Sequence, residues 1–411
     1  MKLNAPCARW LVLIVCALTA SDATVAADES VYQIVYGATL DPVTHRAEVR
    51  IAVRQPRALL RHVRFEAPRD RYLNAHGQGD VVIAADHIDW SPPADGGVLH
   101  FDFAIDHARD NGGQDAQITE KWALLKLDRL FPPGKVRVLK GARSAATLRL
   151  AAPAGWSIET PYGPAEGHMR AVDDPHTNFD RPKGWLLAGQ LAIRRDIIAD
   201  RRVAVGSPEG SGFRSNDVLA FVRWTLPSLV QVFPAFPQRL LVVSGPDNMW
   251  RGGLSGAGSI YLHADRPLIS QNGTSTPLHE MVHVANGLHG IGGADWIVEG
   301  IAEYYSLDVL RRSNTISEQR YQASLGTLAK WSEGIKCIGT DRSEGTQTAY
   351  AVGVMRALDR EIRAATHDGK SLDNLARTLS DAHAPVTNAG FRAAAAKLIG
   401  AAPKALAGCP Q

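Results

Sequence analysis

Cysteine is scarce, with four in 411 residues, which excludes a scaffold held together by disulfides. Aromatic residues are 7% and charged residues 21% of the chain, so the composition is not that of a highly charged disordered protein. Neither charge sign dominates, with 45 Lys+Arg against 42 Asp+Glu. The doublets Arg194–Arg195, Arg201–Arg202 and Arg311–Arg312 are scattered and lack interleaved aromatics. Nucleic acid is therefore not an expected partner. No stretch reaches the roughly 18 consecutive apolar residues of a membrane span, and neither a repeat nor a low-complexity tract is found. What remains is an ordinary globular composition, 45% apolar, long enough for two domains with separate cores.

The first segment reads as an address. Lys2 and Arg9 precede the apolar run from Trp10 to Ala20, and small residues lead to Thr24-Val25-Ala26. This is the pattern of a signal peptide over residues 1–26. Export to the periplasm or beyond is expected, without stable membrane insertion. Leu13-Ile14-Val15-Cys16 resembles a lipoprotein box, but Val15 is bulky where that signal takes a small residue; release is expected over anchoring. Cleavage leaves Cys337 and Cys409, and in an oxidising compartment a bridge between them is the simplest expectation.

The chain changes character near residue 205. Over 27–205 the pattern is two-residue alternation, as in Ala47, Val49, Ile51 and Val53, or Leu99, Phe101, Phe103 and Ile105. With turn clusters such as Ser91-Pro92-Pro93 between runs, an N-terminal β-sandwich is predicted. Gly206 to Gly212 reads as a linker, and helical signals fill 206–411. Ser215-Asn216-Asp217 can cap a helix carrying Val218, Leu219, Phe221 and Val222. A strand at Leu240–Val243 and a glycine-rich segment, Gly252 to Gly258, lead into Ile260-Tyr261-Leu262. Gly353–Arg363 and Leu372–Leu379 are amphipathic, the second with Ser371 as N-cap.

Chemistry concentrates at His279-Glu280-Met281-Val282-His283. Thr276 and Pro277 are read as N-cap and first-turn proline, so the motif opens a helix. Positions i and i+4 share a helical face, so both imidazoles reach one Zn²⁺ while Glu280 faces a metal-bound water. With 14 histidines in the chain, chance supplies only about 0.016 such matches. Two residues compete as third ligand. His289 has metzincin spacing, but Asn286 stands where that pattern has glycine. The only later methionine, Met355, lies in an apolar helical pattern rather than a turn. Glu299 lies in Trp296-Ile297-Val298-Glu299-Gly300-Ile301-Ala302-Glu303-Tyr304-Tyr305.

That segment resembles the gluzincins, and most closely the glycyl-aminopeptidase-like family, whose E-G-x-x-x-Y-Y follows the H-E-x-x-H helix. The resemblance implies a mainly helical, thermolysin-like zincin domain in 206–411 and Glu299 as the third zinc ligand. Glu303, one turn on, is placed to receive the second ring N–H of a zinc-bound histidine. Ala349-Tyr350-Ala351-Val352-Gly353 resembles the Y-x-x-G element, whose tyrosine hydrogen-bonds the developing oxyanion. Leu358 to Arg363 and Ser371-Leu372-Asp373 resemble the same family. The expectation is an exported zinc peptidase acting on a peptide or protein substrate, with Glu280 as general base. The alternative is a catalytically silent zincin-fold binding or scaffold protein.

Three features depart from the relatives. The spacer between His283 and Glu299 is shorter than theirs, at 15 residues. No PDZ domain is expected before Gln411. In Gly252-Gly253-Leu254-Ser255-Gly256, Ser255 replaces the glutamate that would bind a substrate α-ammonium group. Asp247 or Asp265 is a candidate replacement, and Ile260-Tyr261-Leu262 with the glycine-rich segment can bind an extended peptide as an added strand.

Overall fold

Alternation in sequence becomes alternation of burial. Along Gly96–Ala104, Leu99, Phe101 and Phe103 face the core while His100 and Asp102 stay partly exposed. The computed structural model describes residues 29–110, 112–163, 169–173, 177–335, 339 and 341–410. The expected signal peptide, Cys16 and Cys337 lie outside the described residues. Cys409 is disulfide-bonded.

The β-rich part forms three sheets rather than the two of a simple sandwich. Six strands follow the order Met169–Val172, Arg143–Ala151, Val31–Asp41, Arg46–Arg54, Gly96–Ala104, Tyr72–Gly77. A five-stranded sheet contains Trp122–Lys126 paired antiparallel with Trp185–Gly189, and a four-stranded sheet contains Leu60–Glu66. One core, including Tyr32, Tyr36, Trp90, Phe101 and Phe131, is shared among them. Val31–Asp41 pairs parallel with the distant Arg143–Ala151, a pairing that local alternation cannot reveal.

A further five-stranded sheet carries the helical half. Its order is Leu191–Ile198, Arg201–Pro208, Arg239–Val243, Ser259–Leu262, Gly253–Gly256. The middle three strands are parallel and both outer ones antiparallel to their neighbours. The division predicted at 205/206 runs through Arg201–Pro208. Gly206 and Ser207 are buried strand residues rather than linker, and the chain passes from one sheet to the next at Gln190.

Helix Ser215–Val232 begins at Ser215 itself, with Arg214 at the N-cap position and no side-chain cap, so Ser215-Asn216-Asp217 form its first turn. The motif helix is Thr276–Asn286. Its cap is Ser275, one residue before the predicted Thr276, with its hydroxyl accepting from the Leu278 N–H. Gly287 ends it with φ 59°, a left-handed conformation that glycine adopts without strain. The second helix, Asp295–Arg312, follows after a short turn, so the 15-residue spacer is sufficient. Thr346–Ala365 crosses it where Gly300 faces Ala351. A Cβ at 300 would lie 2.7 Å from that of Ala351, so only glycine lets these helices approach so closely. Ser371 forms a capping box with Asn374 on Leu372–Asp381, as predicted.

The far end of the second helix is tied down by charge. Arg312 donates to both Asp373 oxygens, at 2.7 and 2.9 Å, and Tyr305 donates to Asp373 at 2.9 Å. Arg312 also pairs with the buried Asp308. Burial acts to raise the Asp373 carboxyl, but the hydrogen bond and charge of Arg312 outweigh it and hold it below 3.8. Because the folded-state value is depressed, this stabilisation is present above the ordinary carboxylate range. It is lost as pH falls through the lowered value. Arg312→Ala leaves Asp308 and Asp373 without their shared cation. It should destabilise the fold by about 3 kcal/mol at neutral pH, with less loss in acid, measured by urea unfolding across pH. An unchanged midpoint would remove the network from the account of stability.

Candidate metal centre

The motif helix carries His279 and His283 on one face, and the second helix presents Glu299 and Glu303, also one turn apart, toward it. His279 Nε2 lies 3.1 Å from His283 Nε2 and 3.1 Å from Glu299 Oε2. His283 Nε2 lies 3.4 Å from Glu299 Oε1. With zinc–ligand bonds near 2.05 Å, the edges of a tetrahedral site measure roughly 3.3 Å. The three donors therefore fit one ion. His279, His283 and Glu299 are brought together as expected. His289 is exposed on the turn between the helices and is not among them.

The outer arrangement fixes the ring. His279 Nδ1–H donates to Glu303 at 2.9 Å, leaving Nε2 directed at the site. Burial works against a charge on His279, yet the carboxylates of Glu299 and Glu303 outweigh it and raise the imidazole well above its usual range. Glu299 is pulled far below its usual range by hydrogen bonds from His279 and His283, against the opposing effect of burial. Positive charge is thus favoured at this point, and the N,N,O donor set suits zinc.

Glu280 is 8% exposed and lies under the edge strand Gly253–Gly256. A Cβ on Gly253 would meet Thr276 Cγ2 at 2.5 Å and Glu280 Cγ at 2.9 Å, so a glycine is needed for the strand to pass over the motif helix. His263 N–H donates to the Gly252 carbonyl at 3.0 Å, and Gly253 is in register with Leu262. In an antiparallel ladder, inward and outward pairs alternate. The N–H and C=O groups of Gly253 and Ser255 consequently point away from the sheet; the Ser255 carbonyl is taken by the side chain of Lys126, and an extended chain can pair with Gly253.

Tyr350 precedes Ala351, the residue packed on Gly300 beside Glu299. Its hydroxyl has no hydrogen-bond partner among the described residues. Asp247 and Asp265 gather around the buried His263, which bonds Gly252. They thus sit at the opposite end of the edge strand from Ser255. Lys126 was not singled out by the sequence. Its Nζ donates to the Ser255 carbonyl at 2.9 Å from the strand Trp122–Lys126 of the other half. No local pattern marks a partner 129 positions away in the chain.

Glu299→Ala should abolish stoichiometric zinc, whereas His289→Ala should retain it. Glu303→Ala should weaken zinc about 10–100-fold. Metal analysis after dialysis against a graded chelator checks all three, and full zinc in Glu299→Ala would displace that residue from the site.

Comparison with protein-family models and with curated proteins finds no match. Solved structures are similar. An aminopeptidase N family protein from Idiomarina loihiensis aligns with TM-score 0.62 at 16% identity, over 91% of this chain and 72% of that one. Yeast LTA4 hydrolase in complex with bestatin aligns with TM-score 0.57 at 10% identity, over 90% of this chain and 64% of that one. The native Saccharomyces cerevisiae enzyme gives TM-score 0.56 at 12% identity, with 65% of its length covered. This chain thus spans about two thirds of the yeast hydrolase. At these identities the likeness shows a shared fold, that of the aminopeptidase N family protein and LTA4 hydrolase.

Proposed function

We propose that the protein is an exported zinc-dependent peptidase. The observation that carries this reading is the convergence of His279, His283 and Glu299, with Glu303 orienting His279 and Glu280 beside the edge strand. Zinc held by the three ligands supplies Lewis acidity and lowers the pKa of water toward neutrality. Glu280 serves as general base, taking the proton of the attacking water and delivering it to the leaving amine. Its burial against Gly253 holds it close to the backbone of a paired substrate. Tyr350 is the proposed oxyanion donor, a role suited to a phenol because it donates without carrying charge.

Substrate enters as an extended peptide or protein segment paired to Gly253. Among the described residues no helix is long and apolar enough to cross a membrane. Nucleic acid is not a proposed partner.

Glu280→Gln should retain zinc and lose turnover of a mixed peptide substrate by at least about 100-fold. Gly253→Val should reduce turnover as well, because its side chain collides with Thr276 and Glu280. Zinc analysis paired with a peptide-digestion assay provides the measurement. Wild-type rates from zinc-loaded Glu280→Gln would end this mechanism.

A further inference from the structure

The edge strand meets a cation where a free-amine peptidase needs an anion. Lys126 lies in register with Trp185. Its ammonium sits 5.5 Å from the Trp185 ring centroid, while Trp185 Nε1–H donates to the Leu254 carbonyl at 3.0 Å. Lysine and indole together grip consecutive carbonyls of the edge strand, so the ammonium is held in place. It offers three N–H donors. One goes to Ser255, and the others have no partner among the described residues.

Burial drives the Lys126 ammonium below its usual range, and Asp128 and, more weakly, Glu280 oppose that effect. Glu280 is thus an electrostatic neighbour of the same ammonium. A neutral donor would suffice to tie Ser255 to the strand Trp122–Lys126. A largely desolvated charge with two open donors is costly unless an anion completes it. The same charge repels an α-ammonium group, and Ser255 offers no carboxylate to bind one.

Building on the peptidase reading, we propose that Lys126 is a specificity-determining residue that selects substrates carrying a carboxylate on the Ser255 side of the scissile bond. A peptide strand paired with Gly253 runs along the edge until its acidic side chain meets the Lys126 ammonium. No free N-terminus is required.

The test uses zinc-loaded Glu280→Gln protein and two N-acetyl tripeptides, with glutamate or glutamine first and two alanines following. Calorimetry should show the glutamate peptide binding at least about ten-fold more tightly, the scale of a charge-assisted hydrogen bond. Adding Lys126→Gln, which keeps a donor for the Ser255 carbonyl, should bring the ratio near one with an unchanged melting temperature. Lys126→Arg should preserve the preference. Equal binding of both peptides to the parent, or a preference that persists in Lys126→Gln, overturns the assignment. If Lys126→Gln does not fold, the parent's ratio and that of Lys126→Arg decide. Cleavage by the wild-type protein is scored separately. A Lys126-dependent binding preference without any cleavage upholds this assignment and removes the peptidase reading, whereas cleavage without preference does the reverse.

Discussion

Two carboxylates one helical turn apart, Glu299 and Glu303, share a single imidazole, and most of the C-terminal half is arranged around that fact. His279 can face both only if the motif helix and the second helix run side by side at close range. Half-burying two acids beside a third, Glu280, is unfavourable without compensating positive charge. The histidines supply part of that compensation, and the proposed zinc would supply the rest. The charge balance thus favours positive charge at this point before any catalytic role is considered.

Holding the second helix in register falls to contacts at its middle and far end. Gly300 permits the close crossing with Thr346–Ala365 at Ala351. Further along, Arg312 bridges Asp308 and Asp373, fixing the helix to Leu372–Asp381. Both contacts are intolerant of approximation, one because two Cβ atoms cannot share the space and the other because a buried carboxylate needs its partner. Axial slippage of the helix would carry Glu299 and Glu303 away from His279 together.

The juxtaposition of His279, His283, Glu299 and Glu303 was legible in the sequence because helical geometry translates spacing into position. His279 and His283 at i and i+4 must share a face, and Glu299 and Glu303 repeat the same interval. Local signals also located the Ser371 cap and the amphipathic helices, and missed the motif helix's cap by one residue. What stayed hidden depends on contacts between distant segments. Alternation identified strands but neither their division among three sheets nor the parallel pairing of Val31–Asp41 with Arg143–Ala151. Glycines, a proline and serines made 206–212 look like a linker, although Gly206 and Ser207 complete a buried strand. Lys126 was invisible for the same reason: its partner Ser255 is reached only after two sheets have formed and docked.

Through that docking the β-rich half helps to build the proposed site rather than standing beside it. Leu124, Trp185 and Leu187 pack with Leu241, Val243, Met249 and Tyr261 in a small core of their own. Just before the edge strand, Gln114 exchanges backbone bonds with Asn248 and Trp250, at 3.0 and 2.8 Å. Arg109 stacks over the Trp250 ring at 4.4 Å. Trp185 and Lys126 then hold the carbonyls of Leu254 and Ser255. The glycine-rich strand has little side-chain substance with which to fix itself, so its height above Glu280 is set by these contacts from the other half. The proposed zinc ligands come from one half of the chain, and the strand proposed to position a substrate over them is fixed by the other.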